Sequence, residues 1–272
     1  MTPDSQYSRL PRPGEVLDHR YGDNVHILSQ PYPMSLLTEL CHPHTTQPRF
    51  NQILESLYDW LLTAVCSREL ATTQVDWPTR MEQFNAEGRF VGEVIDREQS
   101  VVVSSVARGG VLPGARWFAG LNYLLNPVKV RQDHIFMERV TDDAGQVTGV
   151  DVSGSKIGGP VDGATVFIPD PMGATGGSMV ETMRIYDDVV KGAPRRLVSI
   201  HLIVTPEFLR RVMTAFPDAR VYTIRLDRGL SAPDVLADVP GARWDEEKGL
   251  NENQYIVPGA GGLGELMNNA WV

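Results

Sequence analysis

The sequence is poor in cysteine, with only Cys41 and Cys66 among 272 residues. Their spacing matches no metal-binding motif, which argues against a zinc site or a disulfide framework and predicts two reduced thiols. No run approaches the roughly 20 apolar residues that span a bilayer, and the N-terminus lacks the apolar core of a signal peptide. The sequence therefore predicts a cytoplasmic protein with no metal site of its own.

Long basic runs are also missing. The chain has 25 Lys and Arg against 34 Asp and Glu, a net charge of −9, and its longest basic runs are the pairs Arg195-Arg196 and Arg210-Arg211. This balance disfavours broad binding to nucleic acid or to anionic membranes. A small anionic ligand is still compatible with it, because a local cluster of hydrogen-bond donors decides such binding.

The composition is that of a globular chain, with 42% hydrophobic and 22% charged residues. Residues 1–23 are rich in proline and glycine and show little periodicity, which predicts an N-terminal extension. The rest is long enough to bury a full core without disulfides or a structural metal.

Short apolar runs alternate with amphipathic segments along the middle of the chain. The apolar runs are residues 101–107, 134–140, 164–170, 196–204 and 219–226. Segments with three- and four-residue apolar spacing are 49–70, 114–125, 178–190 and 206–216. Buried strands that alternate with helices predict an α/β fold with a mainly parallel sheet.

Two regions depart from this alternation. Residues 140–152 have two strand-like arms around a turn at residues 143–145, which predicts a projecting hairpin and suggests a dimerisation arm. The C-terminal third has little regular pattern, and long loops of this kind often form lids or binding loops.

The segment "DPMGATGGS", residues 170–178, lies between a predicted strand and a predicted helix, where ligands of open α/β sheets bind. Gly176 and Gly177 let backbone amides approach a ligand closely, and amides at a helix N-terminus bind phosphate. The lysine of nucleoside-triphosphatase loops is missing. The segment predicts a phosphate cradle with Asp170 as an acceptor for sugar hydroxyls; the alternative is a Gly-rich turn with a helix cap at Ser178.

This segment resembles DPMLATGGS, the phosphoribosyl-diphosphate signature of uracil phosphoribosyltransferases, and differs from it only at Gly173. "ARGGVLPG" (107–114) resembles the family's first strand and loop, which usually carries an Arg-Ala-Gly core. "YIVPGAGG" (255–262) resembles its base-binding segment, typically YIVPGLGD. The three segments follow the family's order, and the chain is identified as a member on these residues.

The resemblance implies a type I phosphoribosyltransferase-like α/β fold: a mainly parallel central sheet flanked by helices, with a projecting β-hairpin arm and a C-terminal base-binding hood. It implies one domain over residues 24–272 with an insertion at about 231–249. The implied activity transfers phosphoribosyl from phosphoribosyl diphosphate (PRPP) to uracil in pyrimidine salvage, giving UMP and diphosphate. The implied partners are PRPP, a pyrimidine base and further copies of the chain, as a dimer or tetramer.

The resemblance also assigns roles in binding PRPP. Asp170 would bind the ribose hydroxyls. The 5′-phosphate would lie on the loop formed by Ala174, Thr175, Gly176, Gly177 and Ser178. Arg108, the amides of Gly109 and Gly110, and Arg139 would face the diphosphate, since a guanidinium matches phosphate oxygens. Asp170 and Arg108 are the implied catalytic residues, and magnesium would arrive with the diphosphate.

The glycine-rich residues 153–163 are either a mobile flap over the diphosphate or a flexible connection. The base would bind along the segment from Tyr255 to Gly262, mostly through backbone groups. The candidate base-binding residues are Tyr255, Ile256, Val257, Gly259, Gly261 and Gly262.

The chain departs from the family after this segment. The usual Gly-Asp-Ala-Gly-Asp-Arg is replaced by GGLGEL, so that Gly262 and Leu266 stand in place of Asp and Arg, and Glu265 stands where the second acid would be. Gly173 predicts extra space under the phosphate loop. Two alternatives stay open: a transferase for another pyrimidine-like base, and a PRPP-binding regulator without turnover.

Overall fold

A computed structural model describes residues 16–141 and 147–270, and only the backbone at 138–141 and 147–150. The predicted turn at 143–145 and the first fifteen residues of the predicted extension lie outside these ranges. Within them, none of the helices is long and apolar enough to cross a membrane. Cys41 and Cys66 are free thiols, as expected, and burial raises the pKa of Cys66 to about 12.

Strands and helices alternate along most of the chain. The strands are β1 (Val25–Ile27), β2 (Thr72–Pro78), β3 (Arg89–Ile95), β4 (Val101–Ala107), β5 (Val130–Thr141), β6 (Val147–Lys156), β7 (Thr165–Pro169), β8 (Met172–Gly173), β9 (Arg196–Val204) and β10 (Arg220–Leu226). The helices are α1 (Pro31–Leu40), α2 (Arg49–Glu69), α3 (Val111–Leu124), α4 (Gly177–Arg184), α5 (Pro206–Ala215), α6 (Pro233–Ala237) and α7 (Leu263–Asn268). The strands and helices predicted from periodicity are confirmed, with ends shifted by a few residues. The predicted helix over 178–190 is α4 followed by a π-helical turn over Ile185–Val189.

The central sheet has the strand order β1-β10-β9-β7-β4-β5-β6, with β8 paired to β9. Every pairing is parallel except β5 with β6. The predicted mainly parallel sheet is confirmed, and the carboxyl ends of β4, β7, β9 and β10 therefore meet at one edge.

Apolar side chains cover both faces of the sheet. On one face Leu54, Leu57 and Leu61 of α2 pack in a core shared with α3. The other face holds a second core against α4 and α5. Trp117 of α3 is fully buried, and its ring lies 5.2 Å from that of Phe167 on β7. Because both faces are covered, the loops at the strand ends are the part of the sheet left for ligands.

The hairpin expected at residues 140–152 is formed by β5 and β6, which pair antiparallel at the edge of the sheet. A second hairpin was not predicted. Strands β2 and β3 pair outside the main sheet and carry exposed Trp77, Met81 and Phe84 at or near the tip. Its short strands carry charged residues without a clear alternation, which explains why the pattern missed it.

Residues 153–163 begin in β6 and lead toward β7, and their role as a flap or as a connection stays a prediction. The Gly158 amide donates to the buried carboxylate of Asp133 over 2.9 Å, and β6 runs antiparallel to β5 back toward the start of β7. Gly154 pairs with Phe136, opposite Ala107 at the carboxyl end of β4, so the segment starts beside that edge and runs back toward the amino ends of the parallel strands.

Gly114 tests the packing of α3 on the sheet. A methyl group at Gly114 would lie 1.9 Å from Ser105 Oγ and 2.9 Å from Ser105 Cβ. We expect Gly114→Ala to lower the free energy of unfolding by about 1–3 kcal/mol through overpacking, measured by urea denaturation. Gly154→Ala adds its methyl to open space and should change it by less than about 0.5 kcal/mol. Equal losses in the two variants would contradict the close packing.

Candidate active site

The loops after β4 and β7 contact each other at Gly109 and Gly110. Asp170 Oδ1 lies 3.3 Å from the position that a Cβ of Gly109 would occupy. At Gly110 that position is 2.9 Å from the carbonyl oxygen of Pro169 and from Val106. A side chain at 110 would collide with backbone, so glycine there lets the predicted diphosphate loop approach Asp170.

The amides of the loop over residues 108–110 differ in their hydrogen bonding. The Gly110 amide donates to the Val106 carbonyl over 2.8 Å, so the expectation that it faces the diphosphate is not met. The Gly109 amide has no hydrogen-bond partner in the described part of the chain. Arg108 is exposed, and its Nη1 donates to the Ala270 carbonyl over 3.2 Å. Gly109 and Arg108 are thus the members of the predicted set that present donors at this edge.

The phosphate loop ends where α4 begins. Gly176 has φ +78°, a left-handed conformation that glycine adopts without strain, and α4 starts at the next residue. Thr205, after β9, donates its hydroxyl to the Ala174 carbonyl over 2.7 Å and accepts from the Phe208 amide at the start of α5. Thr205 therefore ties the loop to the next helix, and sequence reasoning did not single it out.

This arrangement leaves donors pointing out of the loop. Among the described residues, the amides of Thr175, Gly176 and Ser178 and the Ser178 hydroxyl have no hydrogen-bond partner. Amides at a helix N-terminus attract an anion.

The expected space under the loop at Gly173 is absent. A Cβ at Gly173 would lie 2.8 Å from Val204 Cγ1 and 2.9 Å from the Phe208 ring. Those two side chains fill the volume that the family's leucine would need. The glycine therefore reflects a different packing and leaves no cavity.

Two fully buried polar side chains lie close to Asp170. Burial lowers the pKa of His201 to about 3, against a smaller opposing effect of the Asp170 backbone. Burial, and second the charge of Asp170, raise the pKa of Tyr58 well above its usual range. Both groups are therefore neutral near pH 7.

A buried ion pair holds the C-terminal segment on β10. Arg225 and Asp227 form two parallel hydrogen bonds of 2.6 and 2.8 Å, and the Asp227 side chain is 2% exposed. Asp227 Oδ2 also accepts from the Gly259 amide over 2.7 Å, and Arg225 Nη2 donates to the Gly259 carbonyl over 3.0 Å. Sequence reasoning missed both residues, although their i, i+2 spacing on a strand places them on one face.

These contacts change the expected roles within the base-binding segment. The peptide groups of Tyr255, Val257 and Gly259 are bonded inside the protein, to Asn251, to Gly249 and Gly229, and to Asp227 and Arg225. The Ile256 side chain is buried in the core. Within the described ranges, the amides of Ala260, Gly261 and Gly262 have no hydrogen-bond partner. The donors left for a ligand are thus at the end of the segment, before α7.

The segment also closes onto the diphosphate loop. The Cβ position of Gly264 in α7 lies 4.0 Å from the Gly109 nitrogen, and Gln47 Nε2 donates to the Leu266 carbonyl over 3.0 Å. The structure therefore brings Arg108 and Gly109, the phosphate loop with Asp170, and the end of the base-binding segment to one edge of the sheet.

Comparison with known proteins agrees with this arrangement. The family model described as uracil phosphoribosyltransferase matches residues 27–242. The chain belongs to the uracil phosphoribosyltransferase family. The uracil phosphoribosyltransferase of Variovorax paradoxus is 26% identical over 244 residues, covering 89% of this chain and 96% of that protein. That of Thermococcus sibiricus is 24% identical over 253 residues, covering 92% and 91%.

A solved structure supports the fold. The AQ2163 protein from Aquifex aeolicus superposes with a TM-score of 0.67 at 19% identity, covering 91% of this chain and 99% of that one. The α/β fold is that of type I phosphoribosyltransferases, with a mainly parallel sheet flanked by helices. The family match ends at residue 242, before the base-binding segment, so the roles of residues 255–262 depend on their geometry.

Residues 231–249, predicted as an insertion into the family fold, are anchored by Glu247. This buried carboxylate accepts from Tyr21 Oη, from Arg228 Nη1 over 2.8 Å and from the Gly241 amide over 2.8 Å. Tyr21, in the predicted N-terminal extension, is therefore part of the packed structure.

The same segment is fixed to α5. Trp244 Nε1 donates to the Pro206 carbonyl over 2.9 Å. Glu207 accepts from the amides of Gly249 and Leu250 over 2.9 and 3.2 Å. These bonds hold the chain just before the predicted base-binding segment, and the bonds at Gly259 hold it near the end of that segment.

Arg139, the second arginine expected at the diphosphate, lies on β5 and pairs with Val150. The pairing of β4 with β5 ends at Phe136, so the Arg139 backbone lies beyond the carboxyl end of β4. Its side chain is outside the described part of the chain.

The donor set fits a magnesium ion that arrives with its substrate. Within 16–141 and 147–270, no group of three or more His, Cys, Asp or Glu side chains is arranged to hold a metal. Mg²⁺ is usually held by one or two carboxylates together with substrate phosphates and water. Asp170, next to the Gly109 amide, could supply such a carboxylate.

The Arg225–Asp227 pair gives a test of how the family's base-binding segment is held. Asp227→Ala leaves the Arg225 charge and the Gly259 amide without their partner, and we expect the free energy of unfolding to fall by about 3 kcal/mol. Urea denaturation measures this loss. Asp234→Ala removes an exposed pair with Arg243 and should leave the midpoint unchanged. An unchanged midpoint in Asp227→Ala would contradict the clamp.

Proposed function

We propose that the chain is a uracil phosphoribosyltransferase, which converts PRPP and uracil to UMP and diphosphate in pyrimidine salvage. The observation that carries this proposal is the contact between Asp170 and the loop at Gly109. Asp170 Oδ1 lies 3.3 Å from the position that a Cβ of Gly109 would occupy. The contact joins a ribose-binding acid and a diphosphate-binding loop at one point, next to a phosphate cradle. Family membership supports the same activity.

The chemistry follows from what each loop offers. The reaction breaks the C1′–O bond to diphosphate, forms the bond from C1′ to uracil N1, and releases the N1 proton. Thr175, Gly176 and Ser178 hold the 5′-phosphate through amides, and Asp170 holds the ribose hydroxyls. Positive charge at C1′ in the transition state is stabilised by the Asp170 carboxylate.

The diphosphate leaves from the side of Arg108 and the Gly109 amide. The Arg108 guanidinium has a planar set of donors that matches phosphate oxygens, and its present bond to a single carbonyl, that of Ala270, leaves other donors for the substrate. A magnesium ion bound with the diphosphate would be held by Asp170 and would supply positive charge against the leaving group. The mechanism needs no covalent nucleophile.

A regulator that binds PRPP without turnover is the second candidate. The observation that favours it is Gly262, which removes an acid that the family carries next to the base. A transferase for another pyrimidine-like base would use the same loops, and the choice of base separates it from the main proposal.

We expect pyrophosphate release from PRPP and magnesium with uracil, and a kcat lower by about 10²–10³-fold in Asp170→Asn, because the variant loses the charge that stabilises the transition state. A coupled pyrophosphate assay with uracil, cytosine and thymine measures both. Asp218→Asn, an exposed acid between α5 and β10, should keep the wild-type rate.

Release with another base alone would favour the alternative transferase. PRPP binding without release on any base would favour the regulator. A near-normal rate in Asp170→Asn would remove this residue from the mechanism.

The homo-oligomer is part of the proposal, and we place its contact on the β2–β3 hairpin. This hairpin stands outside the central sheet, and Phe84 near its tip is 74% exposed. Trp77 and Met81 are also at least half exposed. Clustered exposed apolar side chains favour burial against a partner. The described part of the β5–β6 hairpin exposes its apolar side chains less, with Phe136 at 48% and Val152 at 38%.

The oligomer prediction uses a double variant. We expect Trp77→Ser with Phe84→Ser to lower the molar mass of the particle, measured by size-exclusion chromatography with light scattering, because the apolar contact is lost. Tyr123→Ser removes an isolated aromatic ring that is 90% exposed and should keep the wild-type mass. A wild-type monomer, or an unchanged mass in the double variant, would contradict this placement.

A further inference from the structure

Glu265 has an unusual position at the start of α7. Its Oε2 lies 2.0 Å, and its Cδ 2.9 Å, from the point where a Cβ of Gly262 would be. The carboxylate therefore fills the side-chain volume of residue 262. A side chain at 262 and this conformation of Glu265 exclude each other.

The carboxylate has no structural partner in the described residues. Within residues 16–141 and 147–270, no ion pair or side-chain hydrogen bond involves Glu265, and α7 has no side-chain cap at Gly262. Half-buried acids are usually paired or hydrogen-bonded. Glu207, Asp227 and Glu247, the other acids of this region, all accept hydrogen bonds from backbone amides. Glu265 is thus an acid in the first turn of α7, where the helix dipole favours it, but its carboxylate has no hydrogen-bond partner in the described residues.

Its surroundings form a pattern of donors and an acceptor. The free amides of Ala260, Gly261 and Gly262 follow one another along the chain, and the Glu265 carboxylate lies over Gly262, the last of the three. Gly261 has φ +70°, and nothing lies within 4 Å of its Cβ position. Open space therefore lies beside Gly261, and the carboxyl group of Glu265 lies over the next residue.

We propose that Glu265 is a specificity-determining residue, whose carboxylate accepts an N–H hydrogen bond from the pyrimidine base. This inference rests on the proposed function and names the acceptor of its base site. The backbone amides bind the base carbonyls on either side of that N–H. The chain lacks an acid at residue 262, and Glu265, three residues later, supplies one at the same place.

The chemistry distinguishes uracil from cytosine. Along one edge uracil presents carbonyl, N3–H and carbonyl, and a surface of amide, carboxylate and amide complements that order. Cytosine presents an amino group, a bare N3 lone pair and a carbonyl. A carboxylate repels that lone pair, whereas a glutamine amide can donate to it.

The experiment compares Glu265→Gln with wild type in the pyrophosphate assay. We expect the KM for uracil to rise about tenfold, through loss of a charged acceptor, with the KM for PRPP unchanged within about twofold. The rate with cytosine relative to uracil should increase. Glu252→Gln, an exposed acid before the base-binding segment, is the matched control and should behave as wild type.

Gly262→Ala provides a second test that keeps the carboxylate. Its methyl group must displace the flexible end of Glu265, so we expect a similar rise in the KM for uracil. In the Glu265→Ala background the same methyl group has room, so Gly262→Ala should change the KM for uracil little. The effects of the two substitutions on this KM are then non-additive in a double-mutant cycle. Thermal melts of all variants should match wild type if the effect is on binding.

The outcomes separate this inference from the proposed function. Wild-type turnover of uracil with an unchanged KM and base preference in Glu265→Gln overturns the role of Glu265 and leaves the function standing. Absence of wild-type turnover on every base overturns the function. Uracil binding measured by equilibrium dialysis with ribose 5-phosphate and pyrophosphate then decides: weaker binding in Glu265→Gln supports the inference, and equal or absent binding overturns it.

Discussion

The site depends on the close backbone contact between the loops that follow β4 and β7. Parallel pairing of these strands brings their carboxyl ends side by side, but parallel pairing alone leaves room for side chains between the loops. Gly110 removes that separation, because its Cβ position is 2.9 Å from the Pro169 carbonyl. The contact places Asp170 against Gly109, so the acid proposed for the ribose and the loop proposed for the diphosphate lie at the same edge.

Acidic side chains hold the C-terminal segment in place by accepting hydrogen bonds from its backbone. Asp227 accepts from Gly259, Glu207 from Gly249 and Leu250, and Glu247 from Gly241. A carboxylate that binds amides or a guanidinium exerts less repulsion on an incoming anion than a free one does. This explains how a chain of net charge −9 can present a local surface of amides and Arg108 to a polyanionic substrate.

The sequence was sufficient for the parallel sheet, its flanking helices and the position of the 170–178 loop between a strand and a helix, because these depend on local periodicity or on a short contiguous motif. It was not sufficient where a residue's role depends on a distant partner. The availability of the Gly259 peptide is decided by Arg225 and Asp227, which lie 34 and 32 residues away in the sequence. The β2–β3 hairpin was missed because most of its residues are exposed and no buried face imposes an alternation.

Substitutions relative to the family are better understood as exchanges of volume and charge between neighbours than as losses at single positions. Gly173 suggests a cavity until Val204 and Phe208 are seen to fill it. Gly262 suggests a missing acid until Glu265 is seen to occupy its side-chain volume. In both cases a glycine is accompanied by a larger group that reaches the same point from another residue. Because close packing leaves few voids, the neighbour and the glycine must change together, and neither position alone shows whether a function was lost.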